Sequence, residues 1–427
     1  MSIPYTYILL ASAIISVVGT APTLLSEGAR RYSWIAPLIS MIILLIAPNT
    51  YLMAYTAFLV VIGVLGIVTL MRLNSPIRGV DYVLVSIMII ATALALYTSN
   101  LALALLSLML VSAPTYLLIL MGDPNTSIEV GVKYVVNMII ATVLFFVGAV
   151  IISSGPSLIT YIIGFSLLLL GLSLEVGAAP MHEWVPDVFT AGNPIPVAII
   201  ASIAKIAPFI VAVKITLTTM SLYKIPPYYL AYIAGAFATI SMFLGNIGAL
   251  TSRESPRVLA YSSIANMGYV MAAFAAAMMG AQEMGVTLGG LALVGLLLQL
   301  FMNAVGKMGF FNTVFSKGNN AVSTWLISLA FIGTPPLLGF WSKLYIILAL
   351  VYGNLTWLAV LLVINSVISV PYYVRLAREL GGTGWKGGLA ESLIIVFTIL
   401  VLSTTIPPPS WLIHPIMNLI NYLILSL

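Results

Sequence analysis

Residues 195–215 read IPVAIIASIAKIAPFIVAVKI, an apolar run with two lysines, Lys205 near its middle and Lys214 near its end. About 20 apolar residues in a helix span the roughly 30 Å hydrocarbon core of a membrane. A lysine at the centre of such a helix costs roughly 2.5–3.5 kcal/mol even on lenient insertion scales, so Lys205 is a candidate functional residue. The alternatives are a side chain that extends to the membrane surface or a structural ion pair.

The rest of the chain has the same apolar character. Of its 427 residues, 62% are hydrophobic and 6% are charged, whereas about a quarter of the residues of a soluble domain are charged. Apolar runs between short polar breaks predict an all-α integral membrane protein with about 14 transmembrane helices. Pro335 and Pro336 interrupt the apolar stretch 322–352, and the prolines at 407–409 interrupt 389–426. Each stretch can therefore be one broken span or two short ones, 322–337 with 338–352 and 389–407 with 410–426.

Basic residues fall in alternate loops, and this pattern predicts the orientation of the chain. Loops rich in lysine and arginine face the cytoplasm, so we predict a multi-pass protein of the cell membrane with its N-terminus outside. The net charge of +5 follows from these loops and does not indicate nucleic-acid binding. The residues concerned are Arg30, Arg31, Arg72, Arg78, Arg253, Arg257, Lys317, Arg375, Arg378 and Lys386.

Cysteine is absent from the sequence, and the only histidines are His182 and His414. Thiol-ligated iron–sulfur clusters, CxxC redox motifs and cysteine zinc sites are therefore excluded, and little remains for haem or copper. We predict that this chain holds no cofactor and that any electron-transfer groups belong to partner subunits.

Few other charged residues lie inside apolar runs. Lys307 lies within LLLQLFMNAVGKMGFFNTVF, and Lys343 follows the proline-broken stretch LAFIGTPPLLGF. Glu175, in LLLLGLSLEVGAAP, is near the end of its run, so a structural role is as open as a transport role. Lys214 is close enough to the outer surface for its side chain to reach the headgroups.

Glu129 and Lys133 lie four residues apart where a span begins. A glutamate four residues before a lysine forms a favourable pair on a helix surface. Two roles remain open for this pair, stabilisation of the helix start and participation in transport.

Lys205 and Lys343 share a sequence context. Lys205 follows the segment 194–196, which is Pro-Ile-Pro, and Lys343 follows Pro335 and Pro336. Proline-interrupted segments in two halves of a chain are typical of inverted-repeat transporters, whose sites lie where helices break. Freed backbone carbonyls can hold water there, and burial and nearby charges change the proton affinity of a lysine. These features predict a transport site but do not name the ion.

Four segments, in order, carry a family resemblance: SIEVGVKY at 127–134, PMHEWVPDVFTAGNPIPVAIIASIAKIAPF at 180–209, GNIGALTSRESPRVLAYSSIANMGYV at 245–270 and GTPPLLGFWSKLY at 333–345. They resemble the antiporter-like, proton-translocating membrane subunits of complex I. The PDV core and the spacing from His182 to Lys205 are most similar to the N-type members, subunit N of NADH-quinone oxidoreductase. Related subunits of Mrp-type antiporters and membrane-bound hydrogenases share parts of the pattern.

The resemblance implies two inverted five-helix repeats, each with a broken helix. We accordingly expect N-terminal helices in 1–80, repeats in 81–220 and 221–380, and C-terminal helices in 381–427. The implied function is proton transfer in a complex-I-like quinone oxidoreductase, driven by membrane and peripheral partner subunits that hold iron–sulfur clusters, flavin and quinone. The residues expected to transfer protons are Lys205, Lys343, Lys307, Glu175, Glu129 and Lys133.

Several positions depart from the family's pattern. Met109 stands where a glutamate is usual, Pro256 where a basic residue is common, and Asn266 where a histidine is frequent. Glu175 stands where lysine is common, so one hypothesis is that Glu175 has taken over pairing with Lys205. Glu175→Gln should then depress transport as Lys205→Ala does. The alternative functions are a subunit of an Mrp-type antiporter or membrane-bound hydrogenase, and a structural spacer that does not pump.

Overall fold

A computed structural model of the chain describes residues 5–46, 50–121, 128–280, 286–318 and 321–382. These ranges contain helices and no strands, which confirms the predicted all-α class. The helices are α1 (Tyr5–Thr20), α2 (Glu27–Arg30), α3 (Ile35–Ile43), α4 (Thr50–Leu70), α5 (Val80–Tyr97), α6 (Leu101–Met121), α7 (Ile128–Ile152), α8 (Leu158–Val176), α9 (Trp184–Ala191), α10 (Pro194–Ile200), α11 (Ile206–Tyr223), α12 (Pro227–Thr251), α13 (Ser255–Gly280), α14 (Val286–Phe315), α15 (Ala321–Ile332), α16 (Leu338–Tyr352) and α17 (Thr356–Gly381). Short 3₁₀ turns lie at Ala21–Leu25 and Ile203–Lys205.

Ten helical segments in the described ranges are long and apolar enough to span a membrane. Helices α15 and α16 have 12 and 15 residues, so each covers only about 18–23 Å at 1.5 Å per residue and is too short to cross alone. We therefore interpret the pair 322–337 and 338–352 as one broken span. The pair 389–407 and 410–426 lies outside the described residues, so the total of 14 spans stays a prediction.

The first helix break lies immediately before Lys205. Helix α10 ends at Ile200, and Ser202 has φ −119° and ψ −84°, outside the helical region. Pro208 explains the interruption, because its ring would clash with the carbonyl four residues earlier and it has no N–H to donate. The prediction that the prolines of 194–196 break the helix was wrong, since they begin α10, where proline is tolerated.

The second break, between α15 and α16, contains Pro335 and Pro336, as the sequence predicts. Gly333 starts it with φ +92°, a conformation that other residues rarely adopt. The Thr334 hydroxyl donates to the Leu329 carbonyl oxygen at 2.9 Å, which satisfies one carbonyl at the end of α15.

Helices α13 and α14 lie at the centre of the molecule, surrounded by α9, α10, α12, α16 and α17. In contrast, α1 and α7 each expose a face of large apolar side chains, as expected for helices that contact lipid. Neighbouring helices approach closely through small residues: a Cβ on Gly148 of α7 would lie 2.3 Å from the Leu168 nitrogen of α8. Such contacts are typical of helix packing in membranes.

Candidate functional site

Lys205 lies in the 3₁₀ turn of the first break and is 1% exposed. Its Nζ donates a hydrogen bond to Ser263 Oγ of α13 at 2.7 Å. The same nitrogen lies 5.6 Å from the centre of the Phe189 ring, within the range of a cation–π contact. The polar partner of this buried lysine is therefore a neutral hydroxyl group.

Lys307, on α14, is completely buried and contacts the same part of α13. Its Nζ donates to the Leu259 carbonyl oxygen at 2.7 Å and to the Ser262 hydroxyl. Because Ser262 and Ser263 are consecutive, a single turn of α13 binds Lys307 and Lys205. The structure thus brings two of the predicted lysines together.

Lys343 lies on α16, just after the second break, and is 5% exposed. Its Nζ donates to the carbonyl oxygens of Phe331 and Ile332 at 2.8 and 3.0 Å and to Ser366 Oγ at 2.8 Å. A positive charge is favoured there because the carbonyls at the end of α15 carry partial negative charge. The ammonium also lies 5.0 Å from the centre of the Tyr269 ring.

A chain of buried amides and hydroxyls extends between the two lysine sites. Asn266 Nδ2 donates to the Ser262 carbonyl oxygen at 2.6 Å, and Gln299 Nε2 donates to Asn266 Oδ1 at 2.7 Å. Ser342 Oγ donates to Gln299 Oε1 at 2.5 Å, and Ser342 precedes Lys343 in the sequence. The polar groups of α13, α14 and α16 therefore connect the surroundings of Lys307 with those of Lys343.

A second buried polar cluster lies beside Lys343, where α12, α13 and α17 meet. Asn246 Nδ2 donates to Asn365 Oδ1 at 3.0 Å, and the Tyr372 hydroxyl donates to Asn246 Oδ1 at 2.9 Å. Asn246 also donates to the Tyr269 hydroxyl at 3.4 Å. The Tyr269 ring, in contact with Lys343, joins this cluster to the lysine.

Glu175 does not pair with Lys205 in this structure. One carboxylate oxygen accepts a hydrogen bond from the Ser112 hydroxyl, and the other is buried without a partner among the described residues. The pairing hypothesis was therefore wrong. Met109, at the position where the family usually has glutamate, is 49% exposed on α6 and points away from the buried polar groups.

The predicted pair of Glu129 and Lys133 is replaced by a different one. Lys133 forms an ion pair with Asp187 of α9, and both side chains are more than 40% exposed. Glu129 is exposed at the start of α7. These residues lie at the protein surface, where ion pairs contribute little stability, and outside the buried polar chain. Sequence reasoning missed Asp187, although it lies in the PDV core.

Lys214 is buried and does not extend to the surface as predicted. Its Nζ donates to three carbonyl oxygens, those of Ala95 at 2.6 Å, Leu96 at 3.1 Å and Thr98 at 2.5 Å. These carbonyls lie at the end of α5, where a lysine satisfies groups that the helix leaves unpaired. Lys214 therefore stabilises the end of α5, and its hydrogen bonds do not join it to the other buried lysines.

Metal-binding residues are sparse in the parts of the chain that the structure describes. These parts contain no cluster of three or more His, Asp or Glu side chains that could hold a metal ion, and the whole sequence has no cysteine. Nor does an ion pair join a carboxylate to Lys205, Lys307 or Lys343 within the described ranges. The site therefore consists of lysines and hydroxyls, which can bind and pass protons with water, and of amides and backbone carbonyls, which position them through hydrogen bonds.

Curated relatives match much of the chain. NADH-quinone oxidoreductase subunit N 2 of Aquifex aeolicus is 30% identical over 323 residues, which cover 70% of this chain and 65% of that protein. The chain thus spans about two thirds of the length of the curated relatives that it matches.

Solved structures with the same fold include chains of respiratory complex I and of an Mrp complex. A chain of respiratory complex I from Thermus thermophilus with bound aureothin matches with a TM-score of 0.71 and 22% identity, covering 92% of this chain and 96% of that one. A chain of the Mrp complex from Dietzia sp. matches with a TM-score of 0.75 and 13% identity, covering 97% and 96%. At these identities the similarity concerns the fold alone.

The family assignment comes from the sequence match. Residues 98–369 match the family described as "NADH:quinone oxidoreductase/Mrp antiporter, TM". This range is more than half of the chain and includes Lys205, Lys307 and Lys343 together with both helix breaks. The chain therefore belongs to the NADH:quinone oxidoreductase/Mrp antiporter family of transmembrane proteins.

Proposed function

We propose that this chain is an N-type membrane subunit of a complex-I-like quinone oxidoreductase and that it moves protons across the bilayer. The observation that carries the proposal is the set of three buried lysines with neutral partners, connected through α13, α14 and α16. Lys214 is also buried with neutral partners, but its hydrogen bonds do not join it to the other lysines. The hydrogen-bonded groups between Lys205, Lys307 and Lys343 therefore support a role in which each of these three lysines gains and loses a proton.

Two features of the lysine sites suit proton transfer. Lys205 and Lys343 each lie at a helix break, where carbonyls that are not used by the helix can hold water. Lys205 and Lys307 contact adjacent serines, so the charge on one lysine affects the other. A change of charge in a neighbouring subunit would change the relative proton affinities of the lysines, and the proton would pass from one lysine to the next.

The proposal assigns redox chemistry to other chains. Iron–sulfur clusters, flavin and quinone would bind to membrane and peripheral partner subunits, as in the oxidoreductase for which the Aquifex relative is named. We further propose that this chain lies in the cell membrane with its N-terminus outside. The division into repeats at 81–220 and 221–380 is supported by the presence of one broken helix in each range.

The first test identifies the partners and then measures pumping. The chain is purified with its native assembly, copurified subunits are identified by mass spectrometry, and the assembly is placed in sealed vesicles. Lys205→Met and Lys343→Met should each lower the number of protons moved per electron while quinone reduction continues. Lys224→Asn is the matched control, because Lys224 is exposed and has a positive φ that asparagine tolerates. Normal pumping by both buried-lysine variants would refute the proposal.

Two alternatives each have an observation in their favour. The fold shared with the Mrp complex favours a cation/proton antiporter subunit, which predicts sodium-dependent proton exchange and no copurified redox subunits. Met109 and Pro256, which are uncharged residues at positions where the family commonly has charged ones, favour a spacer that does not pump. The spacer predicts normal assembly and no change in pumping when Lys205 is replaced.

A further inference from the structure

Asn303 lies on α14 midway between Gln299 and Lys307, four residues from each, and is fully buried. This spacing places the three side chains on one face of the helix, with successive residues about 6 Å apart along its axis. Asn303 therefore lies on α14 between Lys307, which contacts Ser262, and Gln299, which contacts Asn266 and Ser342.

The amide nitrogen of Asn303 is bound to the first helix break. Nδ2 donates to the Ala201 carbonyl oxygen at 3.0 Å. In a continuous helix this carbonyl would accept from the Lys205 N–H, but that N–H bonds to the Ser202 carbonyl oxygen at 3.3 Å. Asn303 thus satisfies a carbonyl that the break has freed. Because only the nitrogen can donate to a carbonyl, this bond also fixes which way the amide points.

The amide oxygen of Asn303 has no such partner. Oδ1 is buried and accepts no hydrogen bond from the described residues. Buried polar groups in native proteins nearly always have a partner, and ordered water supplies it where protein groups do not. The oxygen is therefore a candidate position for an ordered water.

The side chains alone do not complete a proton path from Lys307 to Ser342. Lys307 donates to the Ser262 hydroxyl, whereas Asn266 contacts Ser262 only through the main-chain carbonyl. Neither a backbone carbonyl nor an amide side chain readily accepts one proton and releases another, which a hydroxyl or water can do. A water molecule near Asn303 would supply the missing step.

We propose that Asn303 is a positioning residue with two roles, in which Nδ2 fixes the break beside Lys205 and Oδ1 holds a water through which Lys307 passes a proton toward the Ser342 hydroxyl. The water accepts a proton from the Lys307 ammonium as that N–H bond breaks, and releases one of its own protons toward Ser342 and Lys343. No proton is gained or lost in the step. The inference rests on the proposed function, because it needs protons to move between the lysines.

Two substitutions in the intact assembly separate the water from the structural contact. In Asn303→Leu, an apolar side chain of similar size removes both hydrogen-bonding groups and fills the space. In Asn303→Ser, the smaller hydroxyl side chain leaves room for a second water. We expect Asn303→Leu to lose as many protons per electron as Lys205→Met does, and Asn303→Ser to retain most of the pumping. Asn137→Leu, the same change on the peripheral helix α7, is the matched control.

Each result has a definite reading. Wild-type pumping by Asn303→Leu, or equal loss in the leucine and serine variants, would overturn the water role. If Lys205→Met and Lys343→Met both pump normally, the proposed function fails rather than this inference alone. A cryo-electron microscopy map of the wild-type assembly supplies a test that needs no variant. Ordered density within hydrogen-bond distance of Asn303 Oδ1 is expected, and a well-resolved map without it would contradict the proposal.

Discussion

The carboxylate of Glu175 and the ammonium of Lys205 have different hydrogen-bond partners, and this difference separates their roles. Glu175 accepts from Ser112 on α6, whereas Lys205 donates to Ser263 on α13. The amide oxygen of glutamine can accept the same hydrogen bond from Ser112. A change of Glu175 to glutamine therefore leaves the surroundings of Lys205 intact.

We accordingly expect Glu175→Gln to lower the number of protons moved per electron much less than Lys205→Met does. The measurement is proton uptake into sealed vesicles during quinone reduction, with both variants assembled to the same level. Equal losses in the two variants would show that the Glu175 carboxylate acts in transport despite its separate hydrogen bond.

At the residue scale, the energetic cost of burying a charged side chain determined which site residues could be predicted from the sequence. Lys205, Lys307 and Lys343 stand out because a charge inside an apolar run is expensive. No comparable cost singles out Gln299 or Asn303, since uncharged polar residues are far less costly within helices. The signal that could have found them is their four-residue spacing before Lys307, which places all three on one helix face.

At the element scale, the two helix breaks differ in how well the sequence predicts them. Pro335 and Pro336 lie inside the second break, where a proline pair cannot continue a helix. The first break is displaced from the prolines of 194–196, because proline at the start of a helix needs no N–H partner. Pro208 lies after Lys205 and is the residue whose missing N–H disrupts the helix there.

Gly333 is the position where the geometry of the second break can be tested. Its φ of +92° favours glycine, and an added Cβ would lie 3.1 Å from Lys343 Cδ. We expect Gly333→Ala to cost about 1–2 kcal/mol in backbone strain and to displace Lys343. The assembly should therefore show a lower thermal midpoint and fewer protons per electron.

The control for this substitution is Gly28→Ala, because an added Cβ at Gly28 meets no atom within 4 Å. It should match the wild-type protein in both measurements. If Gly333→Ala also matched the wild type, the positive φ at Gly333 would not determine the position of Lys343.

At the scale of the whole molecule, composition was sufficient to predict an all-α membrane protein, but not the number of its spans. Hydropathy does not distinguish two short helices from one broken helix, since both contain the same apolar residues. For α15 and α16 the lengths of the two helices favour one broken span. The relation between the two proposed repeats depends on three-dimensional arrangement, which the one-dimensional pattern of apolar runs does not contain.

The orientation of the molecule can be tested directly because the sequence contains no cysteine. Ser154 follows α7 and Arg253 follows α12, so α8, the broken helix α10–α11 and α12 separate them and place them on opposite sides of the membrane. The basic loop at Arg253 should face the cytoplasm. With a membrane-impermeant maleimide, Ser154→Cys should react in intact cells, and Arg253→Cys only after permeabilisation. The reverse pattern would place the N-terminus inside and contradict the predicted orientation.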